Sequence, residues 1–173
     1  MDADTQYGEA KKLYEAGRTA ESVTAFEQAR AAYLAEGNEA KAAAVANDLG
    51  VVYYFVGRFD DAQRVLHEAL AVFEKVGDAA AQAKATGNLA QLLNRRGDKG
   101  GAEKNYERAV ELFHQVGERG LEFDTLRALS QMQLQRGHWL EALATYDRAL
   151  AVKGGSGALR AFLRIPRRLL CVW

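Results

Sequence analysis

Apolar residues recur along the chain in steps of three and four, and a glycine interrupts the pattern every twenty residues. Between Thr19 and Glu36, the residues Val23, Phe26, Ala29, Ala32 and Tyr33 draw one apolar stripe along a helix. Val45, Leu49, Val52, Tyr53 and Val56 draw the next between Glu39 and Val56. Ala62, Val65, Leu66, Ala69, Phe73 and Val76 do so between Phe59 and Val76. Leu89, Leu93, Tyr106, Ala109, Phe113 and Val116 carry the pattern through helices expected at 79–96 and 99–116, and two more are expected at 118–136 and 139–152. The first helix, from Asp2 to Ala16, is the most polar, with Leu13 and Ala16 among its few apolar anchors. A terminal element with a solvated outer face has that character.

The interruptions are Gly17, Gly37, Gly57, Gly77, Gly97, Gly117, Gly137 and Gly157. A glycine just past a helix end accepts the left-handed backbone that stops the helix. Asn38 and Asp78, each following such a glycine, suit the N-cap of the next helix. Turns this short force neighbouring helices to run antiparallel. Around alternate glycines the neighbours recur as well, so the full repeat is forty residues long and each repeat is one helical hairpin. The expected divisions are 3–36, 39–76, 79–116 and 119–153. The fold class expected is all-α, with hairpins stacked because none can bury its own apolar face.

Aligned on Gly17, Gly57, Gly97 and Gly137, the repeats share further positions. Ala10, Gly50, Ala90 and Ser130 are small, as are Ser22, Ala62, Ala102 and Ala142. Phe26, Leu66, Tyr106 and Tyr146 supply a large apolar group, and Ala29, Ala69, Ala109 and Ala149 are invariably alanine. Small residues allow the two helices of a hairpin to approach, while the large ones fill the space between hairpins. The pattern is clearest in Asn47 to Leu70 and Asn88 to Val110, and it resembles the tetratricopeptide repeat family over about residues 3 to 153. The period of forty exceeds the family's usual thirty-four, and the family's tryptophan and proline positions are not kept.

The resemblance implies a right-handed α-solenoid in which the first helix of each hairpin lines a concave groove that binds peptides or partner proteins without catalysis. Projected here, the groove positions are Tyr7, Lys11 and Tyr14, then Asn47, Val51, Tyr54 and Phe55. Lys84, Gly87, Gln91, Asn94 and Arg95 follow in the third repeat, and Asp124, Arg127, Gln131 and Leu134 in the fourth. Tyr54 and Phe55 cannot both face a core that Val52, Tyr53 and Val56 fill, so at least one ring is expected at the surface. Asn47, Gln91 and Asn94 could hydrogen-bond a peptide backbone. Gly87, mid-helix, serves either close packing or a notch for a ligand. Lys11, Lys84, Arg95 and Arg127 bring positive charge, but not at the spacing of a carboxylate clamp.

Lys plus Arg and Asp plus Glu both number 23, so the net charge is zero and no nucleic-acid partner is expected. The single cysteine, Cys171, permits neither an internal disulfide nor a cysteine-based metal site. No signal sequence and no apolar run long enough for a membrane span is recognised, and a cytoplasmic protein is expected. His67, His114 and His138 fall at different heights along their helices, so no metal site, cofactor or catalytic constellation is expected. Asp60 and Asp61 read as helix N-terminal capping, and Phe59 and Trp139 as hydrophobic staples.

After a Gly/Ser break at 154–157, residues 158–173 carry Leu159, Phe162, Leu163, Leu169 and Leu170 against Arg160, Arg164, Arg167 and Arg168. Pro166 should kink or end a helix there. This tail reads as a cap for the last hairpin. The alternatives are a basic membrane-peripheral element through residues 158–170, or a homodimer contact at the C-terminal end.

Overall fold

The computed structural model describes residues 2–155, and they form eight α-helices with no strand among them. The helices are α1 (Ala3–Glu15), α2 (Thr19–Ala35), α3 (Glu39–Phe55), α4 (Phe59–Val76), α5 (Ala79–Arg96), α6 (Lys99–Gln115), α7 (Arg119–Gln135) and α8 (Trp139–Val152). The chain divides into two compact units, Met1–Asn105 and Tyr106–Trp173, with the division inside α6. In the first unit α1 packs on α2, α3 on α4, and α3 and α5 on the helices preceding them; in the second, α7 packs on α8. The tail expected at 158–173, with Gly157, lies outside the described residues.

One turn closes nearly every helix. At Gly37 the backbone enters the left-handed region, φ +72°, and the Asn38 N–H reaches back to the Tyr33 carbonyl at 2.8 Å. At Gly57, φ +79°, Arg58 bonds the Tyr53 carbonyl at 2.9 Å in the same way. Such a bond satisfies a carbonyl the helix end would otherwise orphan, and it turns the chain within two residues. Gly154 (φ +76°) takes this part after α8, three residues before the place the twenty-residue spacing assigns to Gly157. Asn38 and Asp78 accept from the N–H groups of Lys41 and Ala81, as N-caps should. Asp60 and Asp61 do not cap. Arg58 holds the N-cap position, Asp61 pairs with Arg58 at 2.8 Å, and Asp60 pairs with Arg96 at 2.6 Å.

Small residues set the helix spacing. Ala10 and Ala90 are fully buried, and the buried Ser130 donates its hydroxyl to the Ala142 carbonyl at 2.7 Å across the α7–α8 hairpin. Gly50 is the tightest case, since a Cβ built there would stand 2.7 Å from Leu66 Cγ. Four expected core residues lie at the surface instead. Val56, Val76 and Val116 are 40%, 51% and 37% exposed because each sits at or just past a helix end, and Tyr146 is 41% exposed. Phe59 meets Tyr54 at a centroid distance of 6.1 Å, whereas Trp139 is 62% exposed.

Tyrosine hydroxyls tie one helix to another. Tyr33 (α2) donates to Asp4 (α1) at 2.5 Å, and the Lys41 ammonium (α3) joins the same carboxylate at 2.7 Å. Tyr53 (α3) donates to Glu27 (α2), while the Arg58 guanidinium lies 4.3 Å above the Tyr53 ring. Each ring buries its apolar body and keeps its hydroxyl on a carboxylate at the rim.

Gly50→Ala should gain about 1 kcal/mol of helix propensity, but overpacking against Leu66 should cost more, about 1–3 kcal/mol. A lower urea midpoint is therefore expected, and an unchanged or higher midpoint would refute the close approach. Burial, then the hydrogen bond to Glu27, pushes the Tyr53 phenol up from 10.0 to about 12. The folded state then holds this proton more tightly than the unfolded state. The contribution is complete below the unfolded value and is lost as pH rises through the folded one. Tyr53→Phe should lower stability at neutral pH by about 1 kcal/mol and flatten its decline over that alkaline window.

Candidate functional site

The first helices of the hairpins in the first unit, α1, α3 and α5, bring most of the expected groove positions onto one face. Its middle is a line of hydrogen bonds. The Tyr7 hydroxyl donates to Asp48 Oδ2 at 2.6 Å, Asn47 Nδ2 donates to Asp48 Oδ1 at 3.3 Å, and Asn88 Nδ2 donates to Asn47 Oδ1 at 2.9 Å. Burial and the Asp48 carboxylate push the Tyr7 phenol well above its ordinary range. Asn47 is therefore occupied in joining α3 to α5. Asp48 and Asn88 were not anticipated as part of the site. The signal was a spacing of 41, one repeat plus one residue, between complementary partners in both cross-helix pairs.

At the C-terminal ends of α1 and α3 the same face becomes aromatic. Phe55, 64% exposed, lies with its centroid 5.2 Å from Tyr54 and 6.3 Å from Tyr14. Tyr54 in turn reaches Phe59. Edge-on and tilted contacts of this kind hold rings in place without covering them. Val51 and Gly87 are half-buried, while Lys84, Gln91 and Arg95 are exposed. Asn94 is engaged, for Lys99 Nζ donates to its side-chain oxygen at 2.6 Å and to its carbonyl at 2.9 Å. Lys11 lies 4.3 Å from the Tyr7 ring centre. Beside these, Tyr7, Asn47, Asp48, Asp78 and Lys84 line a recess of about 260 Å³.

The remaining expected positions belong to α7 in the second unit. Asp124 and Arg127 pair with each other at 3.5 Å, Gln131 is exposed and Leu134 is 61% exposed. The second unit also holds a feature the sequence did not suggest. Glu122, 7% exposed, meets His114 Nδ1 at 3.1 Å, and both line a recess of about 290 Å³ with Arg119 and Arg148. Arg148 is itself held by both oxygens of Glu107, at 2.7 and 2.9 Å. Among the described residues, no group of three or more His, Cys, Asp or Glu is placed to hold a metal ion. No described helix is long and apolar enough to cross a membrane.

The Tetratricopeptide repeat profile matches residues 2–75, 41–114 and 82–153. The chain belongs to the tetratricopeptide repeat family. These repeats generally mediate contacts between proteins, and its fold is that family's helical-hairpin solenoid. Among solved structures, BtubC (BKLC) from P. vanneervenii aligns with a TM-score of 0.79 at 23% identity, over 89% of this chain and 65% of its own. The chain thus spans just under two thirds of that protein. A putative kinesin light chain from Podosopora anserina with nearly identical TPR-like repeats aligns with a TM-score of 0.56 at 17% identity, over 87% and 94% of the two chains. A point variant of that protein gives the same score and identity. At these identities the likeness speaks for the fold. Comparison with curated proteins returns no match.

Replacing Asp48 by Asn tests the hydrogen-bonded line. It removes the charge that disfavours ionisation of Tyr7 and leaves burial in place. The Tyr7 phenol should then titrate closer to its ordinary 10.0, as followed by tyrosinate absorbance. Stability should fall by about 1–3 kcal/mol. An unmoved titration would show that burial alone holds the phenol up.

Proposed function

We propose that this protein is a non-catalytic interaction module that takes up an extended or helical segment of a partner protein on the α1–α3–α5 face. The observation that carries the reading is Phe55. A large aromatic side chain, 64% exposed yet held against Tyr14 and Tyr54, is costly to leave in water. It has the character of an anchor around which binding energy concentrates. The exposed Gln91, Lys84 and Arg95 of α5 offer donors, as the polar rim of an interface does. The line through Tyr7, Asp48, Asn47 and Asn88 fixes the underlying helices, so a ligand meets a surface that needs little ordering. Asn47 and Asn94 act as supports rather than readers of a peptide backbone, since both side chains are already bonded.

A displayed library of peptides, selected on the wild-type protein, supplies the probe. Phe55→Ala should weaken the selected peptides by about tenfold or more while leaving the thermal transition in place, because the ring is largely outside the core. Asn94→Ala should matter far less. Equal binding by wild type and Phe55→Ala, with both folded, would remove this face from consideration.

A further inference from the structure

Two recesses lie between successive second helices, one lined from α2, α3 and α4 and the other from α6, α7 and α8. Every residue lining the second, of about 290 Å³, stands eighty positions after a residue lining the first, of about 320 Å³. The place is therefore repeated, but the chemistry is not. In the first recess the charges close on one another. Arg30 on α2 pairs with Glu68 on α4, and Lys75 Nζ on α4 lies 2.8 Å from Glu39 on α3. All the charged residues of that lining are used in these two pairs.

The second recess inverts the arrangement. Arg119 and Arg148 take the places of Glu39 and Glu68, while Val110 and Gly155 take those of Arg30 and Lys75. Two carboxylates have become guanidiniums, and both of their cationic partners have become uncharged. Arg148 finds a replacement partner in Glu107, whose two oxygens hold it. The buried Glu122 has both oxygens on His114 Nδ1, at 3.1 and 3.3 Å. Arg119, exposed at the first position of α7, makes no side-chain hydrogen bond or ion pair among the described residues. A guanidinium presents its N–H donors as a planar fork that matches the two oxygens of a carboxylate. Here such a fork stands unfilled beside apolar walls, for the buried Val110 and Leu126 and the half-buried Val152 line the same recess.

We propose that this second recess binds a small aliphatic monocarboxylate. Arg119 takes the carboxylate head, with the N–H groups that Glu107 leaves free on Arg148 alongside, and the hydrocarbon chain covers Val110, Leu126 and Val152. Glu122 sets the charge of the ligand. Its carboxylate in the lining opposes a second negative charge, so a singly charged head is preferred to a phosphate monoester. The site shares no residue with the α1–α3–α5 face and is independent of the function proposed for it.

Butyrate, titrated into the isotope-enriched full chain at constant ionic strength, tests the site. Amide signals in the first turn of α7 and around Arg148 should shift and saturate. Acetate should bind more weakly, by about fourfold for each methylene that the walls would otherwise cover. Arg119→Ala should weaken butyrate about tenfold or more without moving the thermal transition, because the side chain is exposed. Arg108→Ala, which removes an exposed arginine paired with Glu111 on α6, should leave the affinity unchanged. Shifts that grow with concentration and never saturate would overturn the proposal. So would equal losses in Arg119→Ala and Arg108→Ala, which would mean that butyrate responds only to overall charge. Tighter binding of butyl phosphate than of butyrate would overturn it as well, since a doubly charged head would then be accepted in spite of Glu122.

Discussion

Everything in this fold depends on where a helix is allowed to stop. A glycine in the left-handed region admits the two-residue turn that an ordinary side chain resists, and from Gly17 to Gly137 these glycines recur at a constant interval. Constant spacing makes constant helix length, and constant length returns each repeat position to the same face. Only then can Ala10, Gly50, Ala90 and Ser130 all fall where a helix must come close. The turn contributes little energy itself. It sets the register in which burial of Phe26, Leu49 and Leu66 becomes possible.

On that frame the helices of the first unit are joined by polar groups with apolar bodies. Tyr33 and Tyr53 each bury a ring and donate to a carboxylate on another helix, with a cation close by. A hydrocarbon contact is indifferent to a small slide of one helix along another, whereas a hydroxyl on a carboxylate is not. Tyr7, Asp48, Asn47 and Asn88 do the same across the α1–α3–α5 face. The face proposed for binding is thus braced by residues that are themselves spent on bracing. What remains for a partner is the aromatic end around Phe55 and the exposed Lys84, Gln91 and Arg95.

The second unit keeps the scheme and alters the chemistry. Its α7–α8 hairpin buries Ser130, Gln133 and Thr145, with Thr145 donating to Gln133 at 2.8 Å. Glu122, in the register of Ala42, brings a carboxylate to a position that is alanine in the second repeat, and it meets His114. A repeat can therefore carry polar groups at buried positions provided that each finds a partner.

The helices, their turns and the small-residue positions were legible in the sequence because they are local or periodic. A stripe of apolar residues and a glycine need no knowledge of distant neighbours, and α4, α5 and α8 fall on the residues expected of them. The groove positions were legible as a face but not as a chemistry. Whether Asn47 or Asn94 is free depends on Asn88 and Lys99, and only packing brings those groups within bonding distance. Asp60 and Asp61 show the same limit, for a carboxylate beside a helix start can cap it or pair with an arginine. Sequence determined which side of each helix looks inward, since burial follows periodicity. Tertiary structure decided which polar side chains on the other side were already taken, because a hydrogen bond is made by position and not by pattern.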